Sequence, residues 1–599
     1  MNSPYKKIAM LRRCFSRTLL VRSSSFSCLE AARFSTRPLA VFIQKNVVRF
    51  QFPPLSSHLT VSVVSARRNF SSNPLISENI VRSPLPDLVV SADAPFHEFY
   101  YQRCDEFGDR IAFEEFHTRR SITYNALKQR SESVANSLHG LGFRRNDVAL
   151  VFATNNLDLA VLALACSRLG VTFSPINSAS TSGDICRYCS NTQPRAVFCT
   201  EDLVSIVKAI EGDPSLSHKP EHLIVFGEHP DFVSFESLTQ DDGPTLADTS
   251  VDAQKDILFL PYSSGTSGFP KGVMHSHVTA ASSVLQFQGS LRLTSEDRVL
   301  GLLPQFHIYG LMMQFVPLIS GGSTIILSGF QPDTFLQCLQ DKQITMAPLV
   351  PPLVLFLAKH PAAAGYDLSS VKRIMSGAAP LGHELIQTFS SKYPHITFIQ
   401  GYGMTEVVAA SITQNAIDDS VGCPVPSAII KVSDPGTNEA QGANQEGEVC
   451  VKGPQVMLGY HNNPKATEEA MDAEGWMHTG DIGYYTEDGR LYITDRLKDL
   501  IIYKAFKVAP AVLEDLLVSH PLVADAAVIG IPDERAGEVP MAFVVKKEGV
   551  DLSEQQIEDY VKEHASKEKW LRGGVVFVDQ IPKSASGKIL KRVLKESLG

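Results

Sequence analysis

The stretch that decides the fold is a loop that reads Ser263-Ser264-Gly265-Thr266-Ser267-Gly268-Phe269-Pro270-Lys271-Gly272-Val273. Its glycines let the backbone approach a ligand closely, and its hydroxyls, backbone N–H groups and one ammonium suit the charge of a polyphosphate. The spacing differs from the Walker pattern, because Pro270 stands where that pattern requires a glycine. The loop therefore predicts a phosphate-binding element, and an ordinary Gly/Ser surface loop is the alternative.

The segments that flank this loop are predicted core elements. Before it, Ile257-Leu258-Phe259-Leu260-Pro261 is apolar and predicts a buried strand. After it, Ser276 is a candidate N-cap for a helical run toward Leu291. The loop therefore connects a predicted strand to a predicted helix.

Helices and short strands alternate through the body of the chain. Apolar residues recur at helical spacing over residues 96–107, 124–141 and 157–169. Short apolar or β-branched runs predict strands at residues 147–153, 171–173, 196–199, 223–226, 323–327 and 345–347. This alternation predicts α/β layers around mostly parallel sheets, and residues 227–253, rich in Asp, Ser, Pro and Gly, predict a surface connection.

A second unit is predicted near the carboxyl end of the chain. Past Val425 the strands become shorter, as at residues 447–452 and 491–494, and a new pattern begins near Arg496. It contains predicted helices from Pro510 to Leu517 and from Ser553 toward His564, with predicted strands at residues 526–530 and 541–545 between them. We therefore expect a large N-terminal domain of β-sheets flanked by helices over residues 85–495. A small α+β domain is expected over residues 496–599.

The composition excludes several classes of protein. The 599 residues are too many for one core, and 44% hydrophobic with 20% charged residues is typical of a globular protein. The net charge of −9 argues against a nucleic-acid partner, and the sequence has no charge-free apolar run of about eighteen residues that would predict a transmembrane span. The 10 cysteines predict no disulfide framework. Cys186 and Cys189 form one C-x-x-C without a second pair at zinc-ribbon spacing, so we expect free thiols.

The first 75 residues differ from the rest in composition. Arginine, lysine and serine are frequent there, and Glu30 is the single acidic residue. This profile is typical of a mitochondrial transit peptide, and a disordered basic extension without a targeting role is the alternative. Arg68-Asn69-Phe70-Ser71 resembles a matrix-peptidase site with the cut after Phe70, and the C-terminal Ser597-Leu598-Gly599 is not the peroxisomal tripeptide. We therefore expect residues 1–75 to be a transit peptide and the protein to reach the mitochondrial matrix.

Five further motifs follow the glycine-rich loop. They are Pro304-Gln305-Phe306-His307, Gly401-Tyr402-Gly403-Met404-Thr405-Glu406, Thr479-Gly480-Asp481, Asp495-Arg496-Leu497-Lys498-Asp499 and Pro582-Lys583-Ser584-Ala585-Ser586-Gly587-Lys588. Over roughly residues 90–599 the chain thereby resembles the adenylate-forming superfamily, which contains acyl-CoA synthetases, 4-coumarate–CoA ligases and beetle luciferases. Each motif alone is a weak signal, whereas all of them in the family's order are specific.

The resemblance implies a two-step reaction. ATP, with Mg²⁺, would convert a carboxylic acid to an acyl-adenylate, and coenzyme A as co-substrate would then take the acyl group and release AMP. The partners implied are therefore small molecules (the acid, ATP and CoA). The C-terminal domain would be a mobile lid on the large adenylation domain, as the family's two half-reactions use different lid positions.

The resemblance also assigns a nucleotide site. Thr266, Ser267 and Lys271 would clamp the β- and γ-phosphates, and Glu406 would bind Mg²⁺ with Thr266. The ATP- and AMP-binding set implied in this way is Ser263, Ser264, Gly265, Thr266, Ser267, Gly268, Lys271, Ser376, Gly377, Ala378, Gln400, Gly401, Tyr402, Gly403, Met404, Thr405, Asp481, Arg496 and Lys588. A solvated loop acid is the alternative for Glu406. A turn aspartate and a surface arginine are the alternatives for Asp481 and Arg496.

Four residues are implied as catalytic, namely Lys588, His307, Thr405 and Glu406. Lys588 would bridge the carboxylate and the α-phosphate and so stabilise the charge that is transferred, although a lysine in a basic tail is usually solvated. His307 would lie beside the acyl carboxylate, with a core histidine as the alternative. The acyl pocket implied by the resemblance comprises His307, Tyr309, Gly310, Ala378, Gly401 and Val407.

The hinge segment departs from the family pattern I-K-Y-K-G-F-Q. Lys498 stands at the family's hinge, and Lys504 fits the pattern. Ile502 replaces a lysine, Ala505 replaces a glycine beside the implied CoA tunnel, and Lys507 replaces a glutamine. With these changes we still expect adenylation. The rate of the CoA step is the part that they affect, because a methyl group at Ala505 would crowd the thiol arm of CoA.

The small and apolar residues of the implied acyl pocket predict an uncharged acyl tail. We expect a medium-chain fatty acid first and an arylalkanoate or 4-coumarate-like acid second. A luciferase-like oxygenase, an amino-acid adenylating unit and a nucleotide-binding scaffold without turnover remain alternatives. The amino-acid reading lacks an acidic residue near Tyr309 or Val407 to pair with the ammonium, apart from Glu406, which the resemblance assigns to Mg²⁺.

Overall fold

The structure is a computed structural model of the chain. It describes residues 75–214, 216, 218–240, 250–263, 270–504, 506–533, 535–584 and 587–598, with residue 507 and residues 40–44 and 47–51 described by their backbone. Residues 1–60 and 61–599 form two separate units. The described part of the first unit is an antiparallel pair of strands, β1 (Ala40–Gln44) and β2 (Val47–Gln51). The remainder of the predicted transit segment up to residue 74 lies outside the described residues.

The first large sheet of the second unit has nine strands. In spatial order they are β11 (Val233–Ser234), β10 (His222–Phe226), β9 (Ala196–Thr200), β7 (Val148–Phe152), β8 (Thr172–Ile176), β12 (Ile257–Phe259), β14 (Lys271–Ser276) and β13 (Tyr262–Ser263), and β24 (Gly459–Tyr460) also pairs with β14. The strands from β11 to β12 run parallel, whereas β14 is antiparallel to each of its neighbours.

The second large sheet also has nine strands. Their order is β21 (Cys423–Pro424), β20 (Ser411–Ile412), β19 (Thr397–Tyr402), β18 (Arg373–Ser376), β17 (Met346–Leu349), β15 (Arg298–Gly301), β16 (Ser323–Ile326), β5 (Ile111–Glu115) and β6 (Ser121–Thr123). The strands from β19 to β5 are parallel, with antiparallel strands at both edges. The expected α/β class with mostly parallel sheets is confirmed.

Two smaller sheets complete the second unit. An antiparallel sheet of six strands has the order β26 (Leu491–Arg496), β25 (Met477–Tyr485), β23 (Gly447–Lys452), β22 (Ile429–Ser433), β4 (Ile80–Arg82) and β3 (Ile76–Ser77). A sheet of five strands contains β28 (Phe506–Val508), β27 (Ile501–Tyr503), β30 (Gly537–Lys546), β29 (Val523–Asp533) and β31 (Val575–Phe577). The chain passes from one sheet to the other between Arg496 and Ile501.

The described α-helices cover the faces of these sheets. They are α1 (Phe96–Phe107), α2 (Tyr124–Gly140), α3 (Asp158–Leu169), α4 (Ser182–Thr192), α5 (Val204–Ile210), α6 (Phe235–Leu238), α7 (His277–Leu291), α8 (Ile308–Met313), α9 (Pro332–Asp341), α10 (Pro351–Lys359), α11 (His383–Lys392), α12 (Pro464–Ala470), α13 (Pro510–Ser519), α14 (Glu554–His564) and α15 (Lys591–Glu596). None of the helices in the described part of the chain is long and apolar enough to cross a membrane.

The two nine-stranded sheets share one core. Helices α3 and α7 are buried along most of their length, and their side chains pack with residues of both sheets. The five-stranded sheet has a core of its own, built around Ile501, Leu513 and Val528. Because their cores are separate, the part with the nine-stranded sheets and the part with the five-stranded sheet can fold as distinct bodies.

Local signals in the sequence explain several element boundaries. The Ser276 hydroxyl caps α7 by accepting a hydrogen bond from Thr279 N at 3.2 Å, as predicted. Ser553 and Gln556 form a capping box at the start of α14. The sequence did not predict β14, and the predicted surface connection at residues 227–253 contains β11 and α6.

Candidate active site

One buried carboxylate connects the second nine-stranded sheet to the six-stranded sheet. Asp481 on β25 lies opposite Arg496 on β26 in the antiparallel register, and Arg496 Nε lies 2.9 Å from Asp481 Oδ1. The Tyr402 hydroxyl at the end of β19 donates a 2.7 Å hydrogen bond to Asp481 Oδ2. Burial raises the pKa of the Asp481 carboxyl, and Arg496, Tyr402 and Lys588 oppose this rise. The three side chains form one polar cluster.

A lysine from the carboxyl end of the chain belongs to the same electrostatic cluster. Burial lowers the pKa of Lys588, and the neighbouring charge of Arg496 lowers it further. The carboxylates of Asp481, Asp499 and Glu406 act in the opposite direction. Lys588 is therefore a partly desolvated cation within electrostatic range of three carboxylates and one guanidinium.

The loop that carries Lys588 packs against the large domain. Gly587, with φ +83°, precedes Lys588, and a Cβ atom built on it would lie 3.0 Å from Cδ of Pro352 at the start of α10. Asp495 makes a second connection, because its Oδ2 accepts a 3.1 Å hydrogen bond from Ala511 N in the first turn of α13. These contacts hold the small domain over the cluster around Asp481.

Glu406 is buried beside a tyrosine and a lysine. The Tyr460 hydroxyl donates a 2.8 Å hydrogen bond to Glu406 Oε1, and Met457 N donates to the Glu406 carbonyl at 2.9 Å. Lys271 Nζ lies 4.3 Å from the centre of the Tyr460 ring. Lys271, the first residue of β14, and the carboxylate implied for Mg²⁺ therefore contact the same tyrosine side chain.

A buried histidine fixes the backbone next to Glu406. His275 Nε2 lies 2.8 Å from the Thr405 carbonyl, which requires the Nε2–H tautomer. Burial lowers the pKa of His275 to about 4, so the imidazole is neutral at pH 7, and the Thr405 contact only partly offsets this. His275 Nδ1 has no hydrogen-bond partner among the described residues.

The turn that carries Thr405 and Glu406 requires a glycine. A Cβ atom on Gly403 would lie 2.0 Å from the carbonyl oxygen of Val408, and Val408 itself has φ 58°. Val408 N donates to the Met404 carbonyl at 2.7 Å, which closes the turn. Only a residue without Cβ allows so close an approach of two backbone segments.

The residues implied for the adenine end lie on two adjacent parallel strands. Ser376 at the end of β18 is the register partner of Gln400 on β19. Ser376 Oγ and Gln400 Oε1 are both buried and lack a hydrogen-bond partner in the described residues. Unpaired buried polar atoms are costly unless a ligand or water satisfies them, so this edge of the sheet fits a polar ligand.

Two family models match the chain. That of the AMP-binding enzyme matches residues 100–461, and that of the AMP-binding enzyme C-terminal domain matches residues 512–588. The chain belongs to the AMP-binding enzyme family. The first match covers more than half of the chain, and the resemblance predicted from the motifs is thereby confirmed.

The similar proteins include ligases from plants. 4-Coumarate:CoA ligase 1 from Petunia hybrida is 37% identical over 533 residues, which cover 87% of this chain and 97% of that protein. 4-Coumarate–CoA ligase 1 from Petroselinum crispum is 37% identical over 530 residues, which cover 86% of this chain and 96% of that protein.

Solved structures of similar proteins cover most of the chain. ATP-bound MatB from Rhodopseudomonas palustris has a TM-score of 0.77 at 28% identity, over 84% of this chain and 99% of its own. The fatty acyl CoA synthetase from Mycobacterium tuberculosis has a TM-score of 0.67 at 27% identity, over 84% of this chain and 98% of its own.

This AMP-binding enzyme has an apolar pocket beside His307. The pocket is lined by Leu303, Pro304, Phe306, His307, Tyr309, Gly310, Val350 and Ala378. Burial lowers the pKa of His307 to about 4, and its Nδ1 accepts a 3.4 Å hydrogen bond from Tyr309 N at the start of α8. The Tyr309 hydroxyl donates to the Met375 carbonyl at 3.1 Å, which fixes the ring as a wall of the pocket.

The acyl-pocket residues expected from the sequence lie partly in this pocket. His307, Tyr309, Gly310 and Ala378 line it, whereas Gly401 and Val407 are not among its lining residues in the described part of the chain. Ala378 has φ 71°, so its backbone turns sharply between the nucleotide strands and the pocket.

The structure does not describe all of the implied residues. Ser264, Gly265, Thr266, Ser267 and Gly268 lie outside the described residues, as does Ala505, and of Lys507 only the backbone is described. Of the remaining hinge residues, Lys498 and Lys504 are exposed, and Lys504 Nζ lies 5.4 Å from the Tyr503 ring centre. The exposed Ile502 donates its backbone N–H to Glu538 Oε2 at 3.0 Å.

Sequence reasoning missed two residues of the site. His275 follows the glycine-rich loop at an inward-facing position of β14, and Tyr460 lies on β24, which pairs with β14. In the sequence they stand out only as a histidine and a tyrosine in short strands, and both residue types are common in protein cores. Only the folded chain places both residues against Thr405 and Glu406.

Proposed function

We propose that this chain is an AMP-forming acid–CoA ligase. Carboxylate attack on the α-phosphorus of ATP would form an oxygen–phosphorus bond and release pyrophosphate. The thiol of coenzyme A would then form a bond to the acyl carbon, AMP would leave, and the thiol proton would pass to solvent. The observation that carries this proposal is the hydrogen-bonded Asp481–Arg496–Tyr402 cluster, with Lys588 within electrostatic range of Asp481.

The charges of the site fit the first step. The reacting carboxylate and the triphosphate are both anionic, so cations have to lower their repulsion before the two can meet. Lys588 and Arg496 supply fixed positive charge, and partial burial strengthens their effect because little water screens them. Asp481, held by Arg496 and Tyr402, is positioned to accept hydrogen bonds from ribose hydroxyls.

Glu406 is the residue that would hold Mg²⁺. Magnesium prefers oxygen ligands and is commonly bound through one or two carboxylates together with the phosphates of its substrate. When bound, the ion would neutralise phosphate charge. Tyr460 and the His275–Thr405 contact fix Glu406 and its backbone, so this chain contributes a preoriented carboxylate to that site.

The pocket beside His307 favours an uncharged acyl tail. Its lining is mostly aliphatic and aromatic, and a neutral His307 adds no charge. We therefore propose a medium-chain fatty acid or a 4-coumarate-like arylalkenoate, and similarity to 4-coumarate–CoA ligases supports the second.

The test is ATP–pyrophosphate exchange with a panel of acids, followed by the same panel with CoA. The panel should contain medium-chain fatty acids, 4-coumarate and, as a charged control, a dicarboxylate. We expect exchange and thioester formation with the apolar acids and little of either with the control. Exchange without any thioester would instead favour an adenylating oxygenase, and no exchange with any acid would refute the ligase.

We also propose a mitochondrial location. The basic, acid-poor composition of residues 1–75 supports import, which a fusion of these residues to a fluorescent protein would test. Mitochondrial fluorescence is expected, and it should be lost when the arginines of the segment are replaced by glutamine. Diffuse fluorescence of the unmodified fusion would contradict the proposal.

A further inference from the structure

A second polar cluster lies on the six-stranded sheet, where His478 precedes Asp481 by three residues on β25. Among the described residues, Glu448, Cys450 and His478 bring a carboxylate oxygen, a thiol sulfur and an imidazole nitrogen within 4.8 Å of one another. These three chemical groups are the ones that proteins use to bind Zn²⁺. We propose that Glu448, Cys450 and His478 form a binding site for a thiophilic divalent cation such as Zn²⁺, with water as the fourth ligand.

The strand pairing places the three side chains together. Cys450 on β23 and His478 on β25 are direct register partners in the antiparallel ladder. The register is irregular between Glu448 and Cys450, and such irregularities re-aim side chains. As a result, Glu448 Oε2 lies 2.8 Å and Cys450 Sγ lies 3.5 Å from the same atom, His478 Nδ1.

These distances are close to those of a metal site. With Zn–S near 2.3 Å and Zn–N and Zn–O near 2.0–2.2 Å, the ligand atoms of a tetrahedral ion lie roughly 3.3–3.8 Å apart. The Cys450–His478 distance already falls in this range. Glu448 and His478 are at hydrogen-bond distance and would separate by about 0.5 Å when the ion replaces the proton between them.

The opposite side of the imidazole has the partner that a ligating histidine needs. His478 Nε2 lies 3.6 Å from Asp472 Oδ2. When Nδ1 binds the ion, the ring proton moves to Nε2, on the side of the ring where the carboxylate of Asp472 lies, and a carboxylate on that side is common for metal-bound histidines. Lys431 Nζ lies 3.8 Å from the same oxygen of Asp472, so Asp472 orients the ring and is not counted as a ligand.

The thiol makes metal binding measurable as proton release. Cys450 is buried, and an ordinary cysteine thiol keeps its proton at pH 7. Binding of M²⁺ would form a sulfur–metal bond, break the S–H bond and release one proton to solvent, while the Nδ1 proton of the ring moves to Nε2. No oxidant or reductant is involved.

The experiment uses the full chain after removal of metal by a chelator, with Co²⁺ and Zn²⁺ as probes. We expect one Co²⁺ per chain with thiolate-to-cobalt absorption in the near ultraviolet, displacement by Zn²⁺ and release of about one proton. Cys450→Ser should abolish the thiolate absorption. Glu448→Gln and His478→Gln should weaken Zn²⁺ binding at least about tenfold.

The matched control is Cys423→Ser, which removes a partly buried thiol outside the cluster. It should bind Co²⁺ as the unmodified chain does. The proposal is overturned if the unmodified chain binds neither ion, or if Cys450→Ser keeps the thiolate absorption. Glu448→Gln retains an oxygen acceptor for the Gly480 amide, 3.0 Å from Glu448 Oε1, so it supplies a readout even if Cys450→Ser does not fold.

Discussion

The Tyr460 hydroxyl donates a 2.8 Å hydrogen bond to Oε1 of the buried Glu406. Tyr460 lies on β24, a short strand that pairs with β14 at the end of the glycine-rich loop. The hydrogen bond therefore links this end of the loop to the carboxylate implied for Mg²⁺. Lys271, on the opposite strand, lies over the same ring. The tyrosine therefore orients Glu406 relative to the phosphate-binding loop.

Removal of this hydroxyl should weaken adenylation. In Tyr460→Phe the ring and its contact with Lys271 remain, but a hydrogen bond to a buried charged group is lost, which is worth about 1.5–3 kcal/mol. We expect ATP–pyrophosphate exchange to fall by roughly tenfold or more. Tyr484→Phe, in which a ring stacked on Tyr492 loses its hydroxyl, is the control and should keep normal exchange. Equal exchange rates in the two variants would exclude the proposed role of Tyr460.

The buried His275 should make stability depend on pH. Its pKa is lowered from 6.5 to about 4, so its stabilising contribution is complete above pH 6.5 and is lost as the pH falls toward 4. For this group alone, the free energy of unfolding should decrease by about 2 kcal/mol between pH 8 and pH 5. His275→Gln should flatten the measured pH profile, whereas His117→Gln at an exposed site should not. An unchanged slope in His275→Gln would contradict the low pKa.

The turn before Glu406 should not tolerate a side chain. Gly403→Ala places a methyl group against the Val408 carbonyl, so we expect a loss of stability of at least about 1–3 kcal/mol and reduced exchange activity. Gly140→Ala is the matched control, because a Cβ there meets nothing within 4 Å at the end of α2. The measurement is the thermal unfolding of both variants, compared with that of the unmodified chain. A Gly403→Ala protein as stable as the control would show that this turn is looser than described.

The hinge substitution also makes a prediction. Ala505 stands where the family pattern has glycine, and Ala505→Gly should raise thioester formation more than adenylation, because the methyl group would crowd the thiol arm of CoA. The measurement compares pyrophosphate exchange with acyl-CoA formation in the same preparation. An equal change in both half-reactions would contradict this explanation of the CoA step.

The sequence predicted most elements of the core but only part of the site. Periodicity gave the bounds of α1 and the N-cap of α7, because apolar spacing and capping are local signals. Motif order gave Asp481, Arg496 and Lys588, which the fold brings together from distant parts of the chain.

Three features could not be predicted because they depend on strand pairing. β14 was not predicted because its antiparallel partners are distant in sequence: β12 precedes the glycine-rich loop, and β24 lies far after it. Tyr460 contacts Glu406 only because β24 pairs with β14. The Glu448–Cys450–His478 cluster is invisible in the sequence because an irregular ladder, and not a short spacing motif, brings its members together.

The central claim is that Lys588 supplies the cation for adenylate formation, and ATP–pyrophosphate exchange by Lys588→Ala tests it most directly. Lys595→Ala, which removes an exposed lysine from the same terminal segment, is the control. We predict that exchange falls by roughly a hundredfold or more in Lys588→Ala, since loss of one preoriented charge partner commonly costs that much, and is normal in Lys595→Ala. Unchanged exchange in Lys588→Ala would contradict the account.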